Sequence, residues 1–508
     1  MFKKRMIRPS SSTSSARRHN DQLPFLAQKR FSALPRFRAI HKEEPGLSLL
    51  VAVSYVIDLF GVFPLVTLPG LLIPLGLFAI PLVVVIVGLQ IYTSNLLGKC
   101  WIMAEMLDST IAQKSRYPYA AISDLAYGKH VSLMVTILLD LSIFATGIPN
   151  LVVASQNLQL IGHRISDGHF NISFCFWLII LGILICPLMW LESPKNMRGL
   201  VMFSICVVAS VVVLLWYCLI KAEGGRTPFQ GMSFEIPSFA SFFNGFNVLA
   251  FQFDIHTMIL TIQMDMKDKS QIKWASLIGI LCSCGLGLIG TIIGAYKFGS
   301  MIMPNILEMI PRSLPLYAAI LLISLQLCLT CVVGSSALFL HVENFFRIPE
   351  SFSMKRVLIR SSLIGFEVLL GEFVPKFDVI VGIIGGTIIA PLMFILPPLL
   401  YSKIQEMERM RHRFITQAAY GSLPIDLNYE SIDMTCSNER NTLWTSMCQT
   451  CKQICKYSPC ELSIPSAVVA FGVLAFGCST FLNFLRISEL FQNNSPCFGN
   501  ITKSLSNL

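Results

Sequence analysis

The stretch Val53-Ser-Tyr-Val-Ile-Asp58-Leu-Phe-Gly61-Val-Phe-Pro64-Leu-Val-Thr-Leu-Pro69-Gly70 decides the fold. It lies in the first strongly apolar segment, where a helix crossing a bilayer should be unbroken. Instead it carries a carboxylate, then a glycine, then a proline that removes a backbone donor. Backbone groups freed at membrane depth are tolerated only inside protein or beside a watery cavity, and a buried Asp must be paired, protonated or ligated. Two readings fit this stretch. One is a mid-membrane binding site on a discontinuous helix, as secondary transporters build. The other is a proline-kinked helix whose neutral Asp bonds a neighbour.

Composition sets the class. The chain of 508 residues is 54% hydrophobic and only 13% charged, with mean hydropathy +0.65. Many apolar runs reach the roughly 18–20 residues that cross about 30 Å of hydrocarbon. The net charge of +10 does not indicate nucleic acid, because much of it lies in the first residues and in loops flanking membrane segments. Sixteen cysteines, most within apolar segments, suggest no disulfide framework.

Eleven spans are expected: Leu47–Pro69, Ile73–Met103, Val131–Leu160, Phe174–Trp190, Leu200–Ile220, Phe239–Met264, Trp274–Tyr296, Leu316–Leu340, Val357–Phe373, Asp378–Tyr401 and Ile464–Leu485. With the amino end in the cytosol, inside segments hold about thirty Lys and Arg and outside ones about eight, the bias expected of membrane proteins. The glycosylation acceptors Asn171 and Asn500 then both fall outside. The expected organisation is a disordered basic cytosolic tail over 1–46, a transmembrane core of ten helices over 47–401, a Cys-containing cytosolic loop over 402–463, an eleventh helix over 464–485 and a luminal or extracellular tail over 486–508. The loop opens with a charged helical run, Lys403–Arg413, read as a solvated extension of the tenth span. Its Cys448-x2-Cys451 lacks the second pair that a zinc site needs, so no metal is expected. Tyr420-Gly-Ser-Leu423 has the form of a sorting signal, a four-residue pattern common by chance.

Ionisable residues inside spans are the functional candidates. They are Asp58, Asp140, Asp254, His256 and Glu367. An interhelical hydrogen bond is the plainer reading for each, most of all for Asp140 and Glu367, which have no helix breaker beside them. The sixth span begins Phe242-Phe-Asn-Gly245-Phe-Asn247 before its Asp–His pair, and it lies five spans after the first. That spacing suits a five-plus-five inverted repeat with paired interrupted helices. Phosphate-binding loops, His-Glu-x-x-His and Gly-x-Ser-x-Gly are absent from the sequence, so an enzyme or ATP-driven pump is not expected.

A set of short motifs runs through the chain in order: Leu68-Pro69 ending the first-span pattern, Tyr92-Thr93, Tyr117-Pro118, Ala126-Tyr127-Gly128, His256 through Met266-Lys267, and Ala295-Tyr296 through Phe298-Gly299. In these the chain resembles the amino acid/auxin permease family, close to its vesicular inhibitory amino acid transporter branch. The resemblance covers about Leu47 to Lys403. It implies an all-α polytopic LeuT-like fold and secondary transport of amino acids driven by H+ or Na+, with no cofactor. The departures fall at the site: Asp58 replaces the family's Asn, Val62 its Gly (with Gly61 adjacent), Pro64 a second Gly, and Leu260 the Pro after the sixth-span His. Gly61, Val62 and Pro64 are therefore expected to hold the substrate carboxylate. Exposed carbonyls around Asn244, Gly245 and Asn247 are expected to receive its ammonium, with the span unwinding near Asn247–Phe251 and His256 facing the cavity. Asp58 and Asp254 are the candidates for ion or proton coupling. A non-transporting amino-acid receptor of the same fold is the alternative, and a channel a third class. The membrane is expected to be endolysosomal, vesicular or plasma.

Overall fold

The computed structural model describes residues 46–114, 117–167, 172–191, 197–222, 236–299, 302–348, 352–373, 377–419 and 463–493. The chain divides into two units, Met1–Pro45, which lies outside the described residues, and Gly46–Leu508. Asn171, Asn500 and the loop cysteines also lie outside the described residues. What is described is helical. The elements are α1 (Leu49–Phe60), α2 (Phe63–Leu72), α3 (Ala79–Leu107), α4 (Ile111–Lys114), α5 (Pro118–Tyr127), α6 (Lys129–Ile165), α7 (Phe174–Leu191), α8 (Met197–Lys221), α9 (Phe239–Gln252), α10 (Ile259–Asp265), α11 (Ile272–Phe298), α12 (Leu314–Phe345), α13 (Met354–Phe373), α14 (Phe377–Ile383), α15 (Leu396–Ala419) and α16 (Ser463–Asn493).

Among the described residues, seven helices are long and apolar enough to cross a membrane, and the bent pair α1–α2 makes an eighth. The protein is a multi-pass integral membrane protein. Three expected spans fall short of that measure for physical reasons. Phe174–Trp190 is apolar but short, the sixth span is cut into α9 and α10, and α13 carries Lys355, Arg356, Arg360, Glu367 and Glu372. α15 continues through the charged run to Ala419, and α16 runs past Leu485 to Asn493. Cys175 at the start of α7 is disulfide-bonded, a single bond where the sequence suggested no disulfide framework. A cysteine at a helix end can sit at the oxidising face of a membrane, where such bonds persist.

Small residues draw the helices together. A methyl added at Gly279 of α11 would lie 2.3 Å from Val56 of α1, and one at Gly287 would lie 2.6 Å from Leu68 of α2. α11 thus packs against both halves of the broken first span. Between α14 and α15 the helix widens into two π segments, Ile384–Ile389 and Pro391–Ile395. π turns are rare and leave carbonyls poorly paired. Tyr119 donates to one of them, Leu392 O, at 2.7 Å. A methyl at Gly385 would lie 1.9 Å from Asn247 O, so α9 lies directly on this segment.

Two polar features tie the helix ends. Glu343 of α12 accepts from Arg356 Nε at 2.9 Å, Arg356 Nη2 at 3.0 Å and Arg360 Nε at 2.6 Å. The Arg360 guanidinium lies over the Phe339 ring, 5.1 Å from its centroid. At the amino end, Leu47 N donates to Asp265 O at 2.7 Å and Lys267 N to Leu47 O at 3.0 Å. This single bridge seats the start of the first span against the end of α10. Gly46 permits it, since a methyl there would lie 2.8 Å from Lys267 N.

Candidate functional site: a cavity between two broken spans

The first break follows from the residues read in the sequence. Gly61 sits at φ +56°, a conformation glycine adopts without steric cost, and Pro64 opens α2. The two halves are bent by 53°. The helical bond from Val62 N to Asp58 O is lost there, and α12 replaces both of its ends. Val62 N donates to Gln326 Oε1 at 3.1 Å, and the Thr330 hydroxyl reaches Asp58 O at 3.4 Å. Gln326 Nε2 in turn donates to Thr330 Oγ1 at 2.7 Å. A methyl at Gly61 would lie 2.5 Å from Gln326 Nε2. Gly61→Ala should therefore expel Gln326, free Val62 N–H and cost about 1–3 kcal/mol. Thermal unfolding of the detergent-solubilised protein measures it, and an unchanged midpoint would remove Gln326 from this role.

The second break lies at Phe253–Met258, between α9 and α10. A side chain makes it: Asp254 Oδ1 accepts from His256 N at 2.9 Å, and Oδ2 from the Thr257 hydroxyl at 3.2 Å. Asp is well suited to such local competition with the helix. The breaks face each other. Phe60 meets Phe253 edge-on at 5.5 Å, and Phe63 meets Phe251 at 5.6 Å. Gln252 Nε2 donates to Thr67 Oγ1 at 2.5 Å.

Between them lies a cavity of about 80 Å³, well above the roughly 10–15 Å³ that a single water needs. Leu59, Phe60 and Phe63 wall it from the first span, and Phe251, Gln252, Asp254, Thr257 and Met258 from the sixth. α6 adds Ile143, Thr146, Gly147 and Asn150; α12 adds Gln326, Thr330, Cys331 and Ser335 among others. Asp254 is the ionisable carboxyl on this wall.

The expected residues are distributed as follows. Gly61 and Val62 form the break, with Val62 N already satisfied by Gln326. Pro64 opens α2 and lies towards α11, near Gly287. Asn244, Gly245 and Asn247 lie inside the continuous helix α9, away from the cavity, which corrects the expectation of open carbonyls there. Asn244 Oδ1 accepts from Arg486, Asn247 Oδ1 from Ser479 at 2.5 Å, and Gly245 packs near Leu75. The Asp–His pair is also reversed. Asp254 lines the cavity, while His256 is fully buried with Nε2 2.9 Å from Thr93 Oγ1 of α3 and Nδ1 3.6 Å from Asp254. The physical reason is that the Asp254 cap turns the chain there, leaving Asp254 on the cavity wall while the far nitrogen of His256 reaches Thr93 of α3. Asp58 is 1% exposed and sits behind the break, beside Ser204 of α8 and Gln326; its Oδ1 has no partner among the described residues. Asp140 makes the interhelical contacts expected of it, with Tyr117 OH at 2.7 Å and His341 Nδ1 at 2.8 Å. Gln252, Gln326, Thr330 and Asn150 escaped the sequence reading because they are uncharged. The signal available was Gln326 and Thr330, polar at i and i+4 in an otherwise apolar span.

A helical multi-pass protein with a small, partly polar cavity held between two interrupted spans has the build of a membrane transport protein. Comparison with known families agrees. The family model described as transmembrane amino acid transporter protein matches residues 52–420, and the chain belongs to that family. Among its relatives, Amino acid transporter AVT1I of Arabidopsis thaliana is 22% identical over 351 residues, covering 65% of this chain and 79% of the relative. Amino acid transporter AVT1H of the same plant is 22% identical over 363 residues, covering 67% and 80%.

Proposed function

We propose that the protein is a secondary active transporter of small amino acids working by alternating access, with eleven spans in a LeuT-like five-plus-five arrangement. The carrying observation is the cavity itself, bounded by the two interrupted spans that stand five apart. Its ends are chemically opposed. The amino end of α2 turns the positive end of a helix dipole toward the break, which suits the substrate carboxylate. Asp254 and the carboxyl end of α9 suit its ammonium. The aromatic pairs Phe60–Phe253 and Phe63–Phe251 close over the small volume that remains. Each expected span has a helical counterpart, which supports the count of eleven. The family and the two Arabidopsis amino acid transporters support the substrate class.

Asp58 is proposed as the coupling acid. Where the resembling family has Asn, a carboxyl can gain and lose a proton, and its backbone carbonyl and side chain both meet α12 residues of the cavity wall. Asp58→Asn should keep the fold and flatten the pH dependence of uptake. The deciding experiment is uptake of a radiolabelled amino-acid panel by proteoliposomes at two pH values, with and without sodium. Binding of an amino acid by the purified protein without any uptake would replace transporter by receptor. Unchanged pH dependence in Asp58→Asn would make Asp58 a structural carboxylate.

A further inference from the structure

We propose that Glu367 is a second proton-carrying acid of the transport cycle, exchanging its proton with water in the central cavity across Gly147 and Cys331. The inference rests on the transport reading above but concerns a residue that reading does not use.

Glu367 lies within α13 and is 1% exposed. The hydrogen-bond donor shown for it is the Cys331 thiol, with Sγ 3.9 Å from Oε2. A thiol is a weak donor. Among the described residues no basic side chain pairs with it. The contrast lies on the same helix, where Arg356 and Arg360 both converge on Glu343 rather than on Glu367. An ionised carboxylate so deeply buried, with no cation beside it among the described residues, is costly, so the closed arrangement holds it as the neutral acid.

What makes this acid more than a packing residue is its wall. A methyl added at Gly147 would lie 2.6 Å from Oε1 and 2.7 Å from both Cδ and Oε2. The whole carboxyl group therefore rests on the bare Cα of Gly147. Gly147 and Cys331, the two groups that touch it, both line the cavity. One glycine and one thiol separate the acid from the space where substrate and water enter. A slight parting of α6 from α12 opens that separation, and the O–H bond then breaks with its proton passing to a cavity water. Re-closure requires the proton back. Among the described residues, the groups shown against Glu367 are Cys331 from α12 and Gly147 from α6. α7 meets α13 through Leu178 at Gly371, Gly182 at Val368, and Trp190 and Cys186 at Ser361, of which the Cys186 thiol is titratable. Asp254 is the acid on the cavity wall itself.

Glu367→Gln preserves shape and removes the proton. Infrared difference spectra of the full-length reconstituted protein across a pH step should show a protonated-carboxyl band in wild type that Glu367→Gln lacks. Gly147→Ala, which forces the carboxyl off the wall, should shift that band's midpoint. With labelled alanine as probe, Glu367→Gln should lose proton-gradient-driven accumulation by about tenfold or more while counterflow stays within about twofold, since exchange needs no net proton release. A Glu367→Gln protein with the wild-type carboxyl band and wild-type accumulation overturns the inference. Failure of wild type to move alanine at all would count against the transport reading, and the infrared titration would still decide the fate of Glu367.

Discussion

Replacing Asp254 by Asn should weaken amino-acid binding by about 2–5 kcal/mol, the cost of truncating one partner of a buried charge pair, which is roughly 30-fold or more in affinity. The two functions of Asp254 can be separated. Its Oδ1 caps His256 N and so shapes the second break, while its negative charge is the group on the cavity wall suited to an ammonium. Asn retains an acceptor oxygen for the cap and loses the charge, so the protein should fold normally and bind poorly. Asp254→Ala loses both and should bind poorly with a lower melting temperature as well. Equilibrium binding of a labelled amino acid, with thermal unfolding of the same samples, distinguishes the two effects. Wild-type affinity in Asp254→Asn would place the ammonium elsewhere.

The second large effect is structural and lies away from the cavity. Glu343→Ala should destabilise the protein by about 3–5 kcal/mol, because it removes the carboxylate from two buried guanidinium groups. Arg360 is 2% exposed and Arg356 7%, so water cannot replace the lost partner. The companion test is simultaneous replacement of all three charges by Met or Leu, which should recover most of that loss, since exchange of a complete buried ion triad for apolar side chains is often neutral. Denaturation midpoints of the single and triple variants check this. A mild Glu343→Ala and a damaging triple change would invert the reading and make the arginines themselves the structural requirement.

How much of this was legible beforehand depends on which chemistry makes each feature. The first break could be read directly, because Gly61 and Pro64 act through their own backbones and Asp58 is costly wherever it is buried. The second break was misplaced by several residues. Asn244, Gly245 and Asn247 looked like breakers, yet they are accommodated in α9 by partners on distant helices, Ser479 and Arg486. The real opening comes from a side chain, Asp254, that outcompetes the helix for His256 N. Sequence alone offers both choices and no way to weigh them, since the deciding partners come from elsewhere in the chain. The same blindness hid Gln326 and Thr330, whose meaning appears only when the first span loses a hydrogen bond opposite them. Glu367 was visible as an acid in a span, but Gly147, which gives it its setting, is one glycine among 32.

The bridge between Leu47 and Met266 has a mechanical consequence. It couples the entrance of α1 to the exit of α10, the two half-helices on one side of the cavity. Neither can swing outward alone without breaking the hydrogen bonds from Leu47 N and Lys267 N. The two half-helices therefore move as one piece at this end, and a change that parts Leu47 from Met266 frees each to move by itself.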